Sequence, residues 1–162
     1  MTAKEYNQCV DEFSDNVYRF IVSNIRDEDM AHDIVQDAYE RLWKNHEKVD
    51  AKKVRSYLFT TAHNRMIDMI RKTKYEQKVD EVPEMSASYH DNQYSDLQEI
   101  LKEALQNLSE IQRSVILLRD YENYSYKEIS EMTDLTESQV KVYIFRARQS
   151  LKTYIGSVEA VI

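Results

Sequence analysis

One glycine and one proline in 162 residues leave this chain few ways to reverse direction tightly. Hairpins and sheet corners draw on Gly, Asn-Gly and Pro turns, and a sheet-rich domain of this length needs several. An all-α fold is predicted. The same scarcity excludes phosphate-cradling loops of the GxxxxGK and GxGxxG kind, where glycine lets the backbone approach a phosphate closely. Nucleotide-dependent enzymes therefore rank low. The length admits one domain or two small ones.

Apolar spacing divides the chain. Residues 2–25 carry Tyr6, Val10, Phe13, Val17, Phe20, Ile21 and Ile25 at helical intervals, with Thr2 and Glu5 forming a capping pair and a possible break at Ser14-Asp15. Residues 29–45 place Ala31, Ile34, Val35, Ala38 and Leu42 on one stripe and Asp33, Gln36, Asp37, Glu40, Arg41 and Lys44 on the other, a polar face that is either solvated or docks on a protein. Trp43 reads as a core or edge-packing aromatic. After a polar loop at 46–53, residues 54–74 form a third helix with Leu58, Ala62, Met66, Met69 and Ile70 inward. Its cations interleave with Tyr57, Phe59 and Tyr75, a composition suited to single-stranded nucleic acid, where rings stack on bases and cations follow phosphates. Ordinary core packing of Tyr57 and Phe59 is the equal alternative. Residues 76–95 hold Pro83 with Ser, Asp and Asn and few aliphatics, and are expected to be a flexible linker.

A second set of helices follows. Ser95 and Gln98, then Ser109 and Gln112, form capping pairs ahead of Leu97, Ile100, Leu101, Ala104, Leu105 and Leu108, and ahead of Ile111, Val115 and Leu118. Ser125 with Glu128 and Thr136 with Gln139 then start two helices only eleven positions apart. Val140, Ile144, Ala147 and Leu151 bury one side of the second, leaving Lys141, Arg146, Arg148 and Lys152 largely off that stripe. A short helix bracing a longer basic one is the helix-turn-helix arrangement, which sets its second helix in the DNA major groove.

Charge supports two contacts with a polyanion. The net charge is −7, yet residues 51–78 carry eight Lys/Arg against two Asp/Glu and residues 136–162 carry four against two. Between them, residues 79–110 carry one against eight. Cys9 is alone, so no internal disulfide forms, and it reads as a small core residue. No HExxH or Cys/His ligand spacing occurs, so neither a metal nor a cofactor is expected. Without a long apolar run or a signal-peptide core, a soluble cytoplasmic protein with no membrane insertion is expected.

The combination resembles the extracytoplasmic-function (group IV) sigma factors of bacterial RNA polymerase, over nearly the whole chain. Asp33 to Tyr39 is similar to the DxxQxxF/Y signature of region 2.2. Tyr57-Leu58-Phe59 with Ala62, Asn64, Asp68 and Arg71 is similar to the WLxxxAxNxxxDxxR run of regions 2.3–2.4, with Tyr in place of the usual Trp. Tyr126 to Ser130, Val140-Lys141, Arg146-Ala147-Arg148 and Leu151 are similar to region 4.2, with Thr133-Asp134 and Ser138 replacing its usual small residues around the bend. Asp tolerates the left-handed conformation such a bend requires.

The resemblance implies region 2 over 1–75, a linker over 76–95, region 4 over 96–156 and a short tail over 157–162. It implies a subunit with no catalytic residue. Asp33, Gln36, Asp37, Glu40 and Arg41 would dock on the clamp helices of the polymerase β′ subunit. Asn64, Phe59, Tyr57, Arg55, Arg65, Arg71 and Lys72 would capture and melt the single-stranded −10 element, with Asn64 lining a pocket for a flipped base. The second lobe would dock on the β flap, where Lys141, Val142, Phe145, Arg146, Ser138 and Gln139 would read the duplex −35 element. An anti-sigma factor is the expected inhibitor, and the free chain is expected to be a monomer. The alternative is a stand-alone helix-turn-helix regulator with a sensing or dimerising first lobe. An all-helical di-metal enzyme finds no support, because the Asp33/Asp37 and Glu99/Glu103 pairs lack a matching ligand set.

Overall fold

A computed structural model describes the backbone of residues 1–79 and 96–161, and side chains over 1–76 and 97–157. Helix α1 spans Ala3–Ile25, α2 Glu28–Lys44 and α3 Val54–Val79, the last entered through a 3₁₀ turn at Ala51–Lys53. Helix α4 spans Asp96–Gln106 and α5 Glu110–Ile116, which runs on as a π-helical segment over Leu117–Tyr121. Helices α6 (Tyr126–Thr133) and α7 (Glu137–Val161) complete the chain. Among the described residues no strand forms, as the lack of turn residues requires.

Most boundaries follow from side chains that satisfy the orphan amides of a helix start. Thr2 and Glu5, Ser109 and Gln112, and Ser125 and Glu128 form reciprocal capping boxes. Asp27 caps α2 through Met30 N. The Ser14-Asp15 position does not break α1, because Val17, Phe20 and Ile21 continue its buried face without interruption. Helix α3 overruns its expected end at 74: Tyr75 to Val79 contain no breaker, and Lys74 is fixed by Glu110 at 2.8 Å. Helix α7 likewise continues past 156 into the expected tail. Leu97, expected on the inner stripe of α4, is exposed at the first turn of that helix. The expected linker over 80–95 and the Ser95 cap lie outside the described residues.

The first lobe packs α1, α2 and α3 around Phe20, Ile34, Leu42, Leu58 and Met66, each wholly buried. At about 25 cal/mol per Å² of apolar area, a side chain of this size contributes roughly 1.5–3 kcal/mol. Cys9 is buried within it, in keeping with a core role. Trp43 sits at the rim, half-exposed, edge-on to Tyr6 and stacked on His46. In the second lobe α5, α6 and α7 close over Val115, Leu118, Ile129, Val140, Ile144 and Ala147.

The two lobes pack against each other. Ser114 Oγ donates to Asn24 Oδ1 (3.2 Å), and Gln106 Nε2 to Ser23 O (3.4 Å). Arg19 holds Glu122 through both its Nε and Nη2, and Phe59 meets Tyr124 edge-on at 5.3 Å.

Candidate nucleic-acid and polymerase interfaces

The second-lobe site starts from the turn between α6 and α7. Asp134 ends α6 at φ 59°, the left-handed conformation anticipated for it, with no glycine required. Thr133 Oγ1 donates to Ile129 O (2.6 Å) and Ser130 Oγ to Leu135 O, closing the bend. Thr136 Oγ1 accepts from Gln139 N, and Thr136 N donates to Gln139 Oε1 at 2.9 Å. The start of α7 is thereby fixed, and one side of the Gln139 amide is committed to the cap.

With Val140, Ile144 and Ala147 inward, Ser138, Gln139, Lys141, Val142, Phe145 and Arg146 fall within an arc of roughly 160°, taking about 100° per residue. All six are exposed, as expected for a face that enters a groove. Val142 (44% exposed) and Phe145 (61%) are large apolar side chains presented to solvent between cations. Such groups match the 5-methyl of thymine, while Arg and Lys match guanine edges or phosphates. Lys141 Nζ lies 5.5 Å from the centre of the Tyr126 ring, which Arg119 also faces at 4.5 Å. Arg148 is different: it is bound by Asp120 at 2.6 and 3.1 Å, so it fastens α7 to the π-helical segment.

In the first lobe, Asp33, Gln36, Asp37, Glu40 and Arg41 share one face of α2, within an arc of roughly 140°. Asp33, Gln36, Glu40 and Arg41 are exposed, and Glu40 pairs with Lys44 at 3.1 Å. Asp37 is half-buried because its carboxylate accepts from Arg65 Nε of α3 at 2.9 Å. One expected polymerase contact and one expected DNA contact are therefore tied together.

The seven residues expected at single-stranded DNA divide. Asn64, Arg71 and Lys72 are exposed, and together with Arg65 and Tyr57 they occupy one side of α3. Tyr57 points at the end of α2, with its hydroxyl near Asn45 Nδ2 (3.4 Å) and Arg41 O (3.5 Å). Arg55 and Phe59 lie on the opposite side and are not brought to this group. Phe59 is wholly buried between Phe20 and Tyr124, and Arg55 donates to Glu122 O while covering the Tyr124 ring at 4.7 Å. The periodicity of α3 concealed this, because the helix buries two faces, one in its own lobe and one against the second.

Among the described residues no group of His, Cys, Asp or Glu is placed to hold a metal, and no helix is long and apolar enough to cross a membrane. The conspicuous buried titratable group is His63, whose two ring nitrogens find no partner and whose pKa burial lowers to about 4. It is a neutral packing residue against Phe20.

Comparison with known proteins matches residues 9–75 to sigma-70 region 2 and residues 98–151 to sigma-70, region 4. The chain is 30% identical over 158 residues to the ECF RNA polymerase sigma factor SigM of Bacillus subtilis (strain 168), covering 94% of each chain. It is 27% identical to the RNA polymerase sigma factor SigV of the same organism, covering 89% of this chain and 87% of that one. Among solved structures, it matches the sigma factor RpoE in complex with the anti-sigma factor NepR from Bartonella quintana, with a TM-score of 0.83, 28% identity and coverage of 95% and 98%. CnrH, solved with the cytosolic domain of CnrY, shares the fold at a TM-score of 0.69 and 21% identity, over 94% of this chain and 88% of that one.

Proposed function

Since the chain belongs to the extracytoplasmic-function sigma factors of the sigma-70 family, which direct promoter-specific transcription, we propose that its two lobes divide promoter reading between them. The first lobe, 1–79, binds core RNA polymerase through the exposed face of α2 on the β′ clamp helices. It captures the −10 strand on the Asn64, Arg71 and Lys72 side of α3. The second lobe, 96–161, docks on the β flap and sets α7 in the major groove at −35.

The observation that carries this reading is the split of α7 into a fully buried stripe and an exposed arc running Ser138, Lys141, Val142, Phe145, Arg146. Exposed valine and phenylalanine beside cations have no packing role in the second lobe, and base edges supply what they lack. Melting requires no chemistry from the chain. A base extruded into a pocket at Asn64 costs a few kcal/mol of unstacking, least at weakly paired steps. The chain then acts without catalysis of its own, in the compartment that holds polymerase and DNA.

An anti-sigma factor is the expected antagonist. The support is the RpoE–NepR match, whose TM-score of 0.83 over 95% of the chain includes the placement of both lobes. The acidic surplus has a physical use here: fewer net cations weaken counterion-driven binding to bulk DNA, leaving specific contact to the polymerase-bound state. The test is runoff transcription with core polymerase on genomic fragments. The unmutated chain produces discrete, core-dependent transcripts, and Asn64→Ala and Arg146→Ala reduce them. No core-dependent initiation by the unmutated chain overturns the reading.

A further inference from the structure

Asp37 belongs by position to the polar side of α2, but its carboxylate turns to α3. Its Oδ2 accepts from Arg65 Nε at 2.9 Å, and the two side chains are 40% and 38% exposed. An ion pair this open to water adds little to stability, because solvent screens it and two side chains must be ordered to form it. A packing role therefore does not account for the pair. Nor is Asp37 the only carboxylate within reach of Arg65. Asp68 stands three positions along α3, a spacing at which helical side chains meet, yet it is exposed and forms no ion pair among the described residues.

The guanidinium shows what the tether leaves available. Arginine presents five N–H donors in a planar fork. In Arg65 the single Nε–H is taken by Asp37, and among the described residues neither Nη group meets an acceptor. The four outer donors are thus held at the surface of the lobe, in the arrangement that grips two oxygens of a phosphate. A second fastening keeps α2 and α3 in register: Tyr57, two turns earlier on α3, sets its hydroxyl near Arg41 O and Asn45 Nδ2. At 100° per residue, Lys72 stands roughly 20° from Arg65 and roughly 10 Å further along α3, while Tyr57 and Asn64 form a parallel row roughly 80–100° away. One row carries cations and the other a ring and an amide, which suit phosphates and bases respectively.

Resting on the assignment of α3 to the −10 strand, we propose that Asp37 is a positioning residue for DNA and not a polymerase contact. It fixes Arg65 so that the two Nη groups receive a phosphate of the captured single strand, while Asn64 addresses the base. Holding the side chain in place beforehand spares the entropy of ordering it on the phosphate. Two effects of removing Asp37 then oppose each other. Loss of a negative charge alone tightens binding to a polyanion. Release of Arg65 weakens it, and the release dominates.

The experiment measures binding of a fluorescein-labelled non-template strand, spanning the −10 region of a promoter from the runoff assay, to the full chain saturated with core polymerase. Fluorescence anisotropy over a salt series compares the unmutated chain with Asp37→Ala, Asp37→Asn, Arg65→Ala and the double alanine variant. Affinity for core is measured separately, by competition with labelled unmutated chain. Asp37→Ala weakens strand binding about fivefold, in line with the cost of immobilising one long side chain. Asp37→Asn keeps an oxygen for Nε and stays within about twofold of the unmutated chain. Arg65→Ala lowers the salt slope by about 0.7, as for one phosphate of a single strand, and in that background Asp37→Ala causes no further loss. Affinity for core stays within about twofold throughout. Unchanged or tighter strand binding by Asp37→Ala overturns this role, as does an equal loss with and without Arg65. An unchanged salt slope in Arg65→Ala overturns it as well. A loss of core affinity of about tenfold in Asp37→Ala assigns the carboxylate to polymerase instead. If the unmutated holoenzyme does not hold the strand, the assignment of α3 itself fails, and the role of Asp37 with it.

Discussion

Acid sensitivity should trace to His63. Its ring is 5% exposed, lies 6.3 Å from the Phe20 ring, and offers two nitrogens that nothing satisfies. Burial lowers its pKa to about 4, against about 6.5 in the unfolded chain. Between these values the unfolded chain binds a proton that the folded chain does not, so stability falls as pH falls. The loss begins below about 6.5 and reaches about 3 kcal/mol at pH 4 and lower, with about 2 kcal/mol of it present at pH 5. His63→Leu keeps an apolar side chain of similar size and removes the titration. Urea unfolding followed by circular dichroism at pH 7.5 and 5.0 measures both chains, and carboxylate titration cancels in the comparison. The unmutated chain loses about 2 kcal/mol more than the variant over this interval. Equal losses refute the argument that His63 is neutral and desolvated in the folded state.

Three further outcomes follow from the second lobe. Ser125→Ala removes the cap that joins Ser125 Oγ to Glu128 N at 3.1 Å, and lowers stability by about 1 kcal/mol in urea titration. Ile144→Ala, at a side chain 1% exposed, costs roughly 2–5 kcal/mol in the same assay. Phe145→Ala leaves stability within about 0.5 kcal/mol, because the ring is exposed, but weakens −35 binding by the core-bound chain in gel-shift titration.

The sequence exposed what depends on near neighbours. Helical class followed from the lack of glycine and proline, and the starts of α1, α5, α6 and α7 followed from Ser or Thr with Glu or Gln three positions later. The left-handed Asp134 was legible because few residue types accept that conformation. The contents of the lobe interface were hidden because they join residues over a hundred positions apart. Glu122 and Tyr124 carry no local signal in the sequence that Arg19 awaits one and Phe59 the other. The resemblance groups Arg55 and Phe59 with Asn64, and the tertiary packing separates them onto two sides of α3. The end of α3 was placed early because Glu76 and Gln77 resemble linker residues, although both are good helix formers.

The division of labour between the lobes is tested most directly by permanganate footprinting on a promoter from the runoff assay, with core polymerase and either the unmutated chain or Asn64→Ala. The unmutated chain makes thymines near −10 reactive. The variant keeps protection at −35 while that reactivity is lost, since α7 still seats and only capture of the flipped base is removed. Full −10 reactivity with Asn64→Ala, or its loss together with protection at −35, contradicts the account.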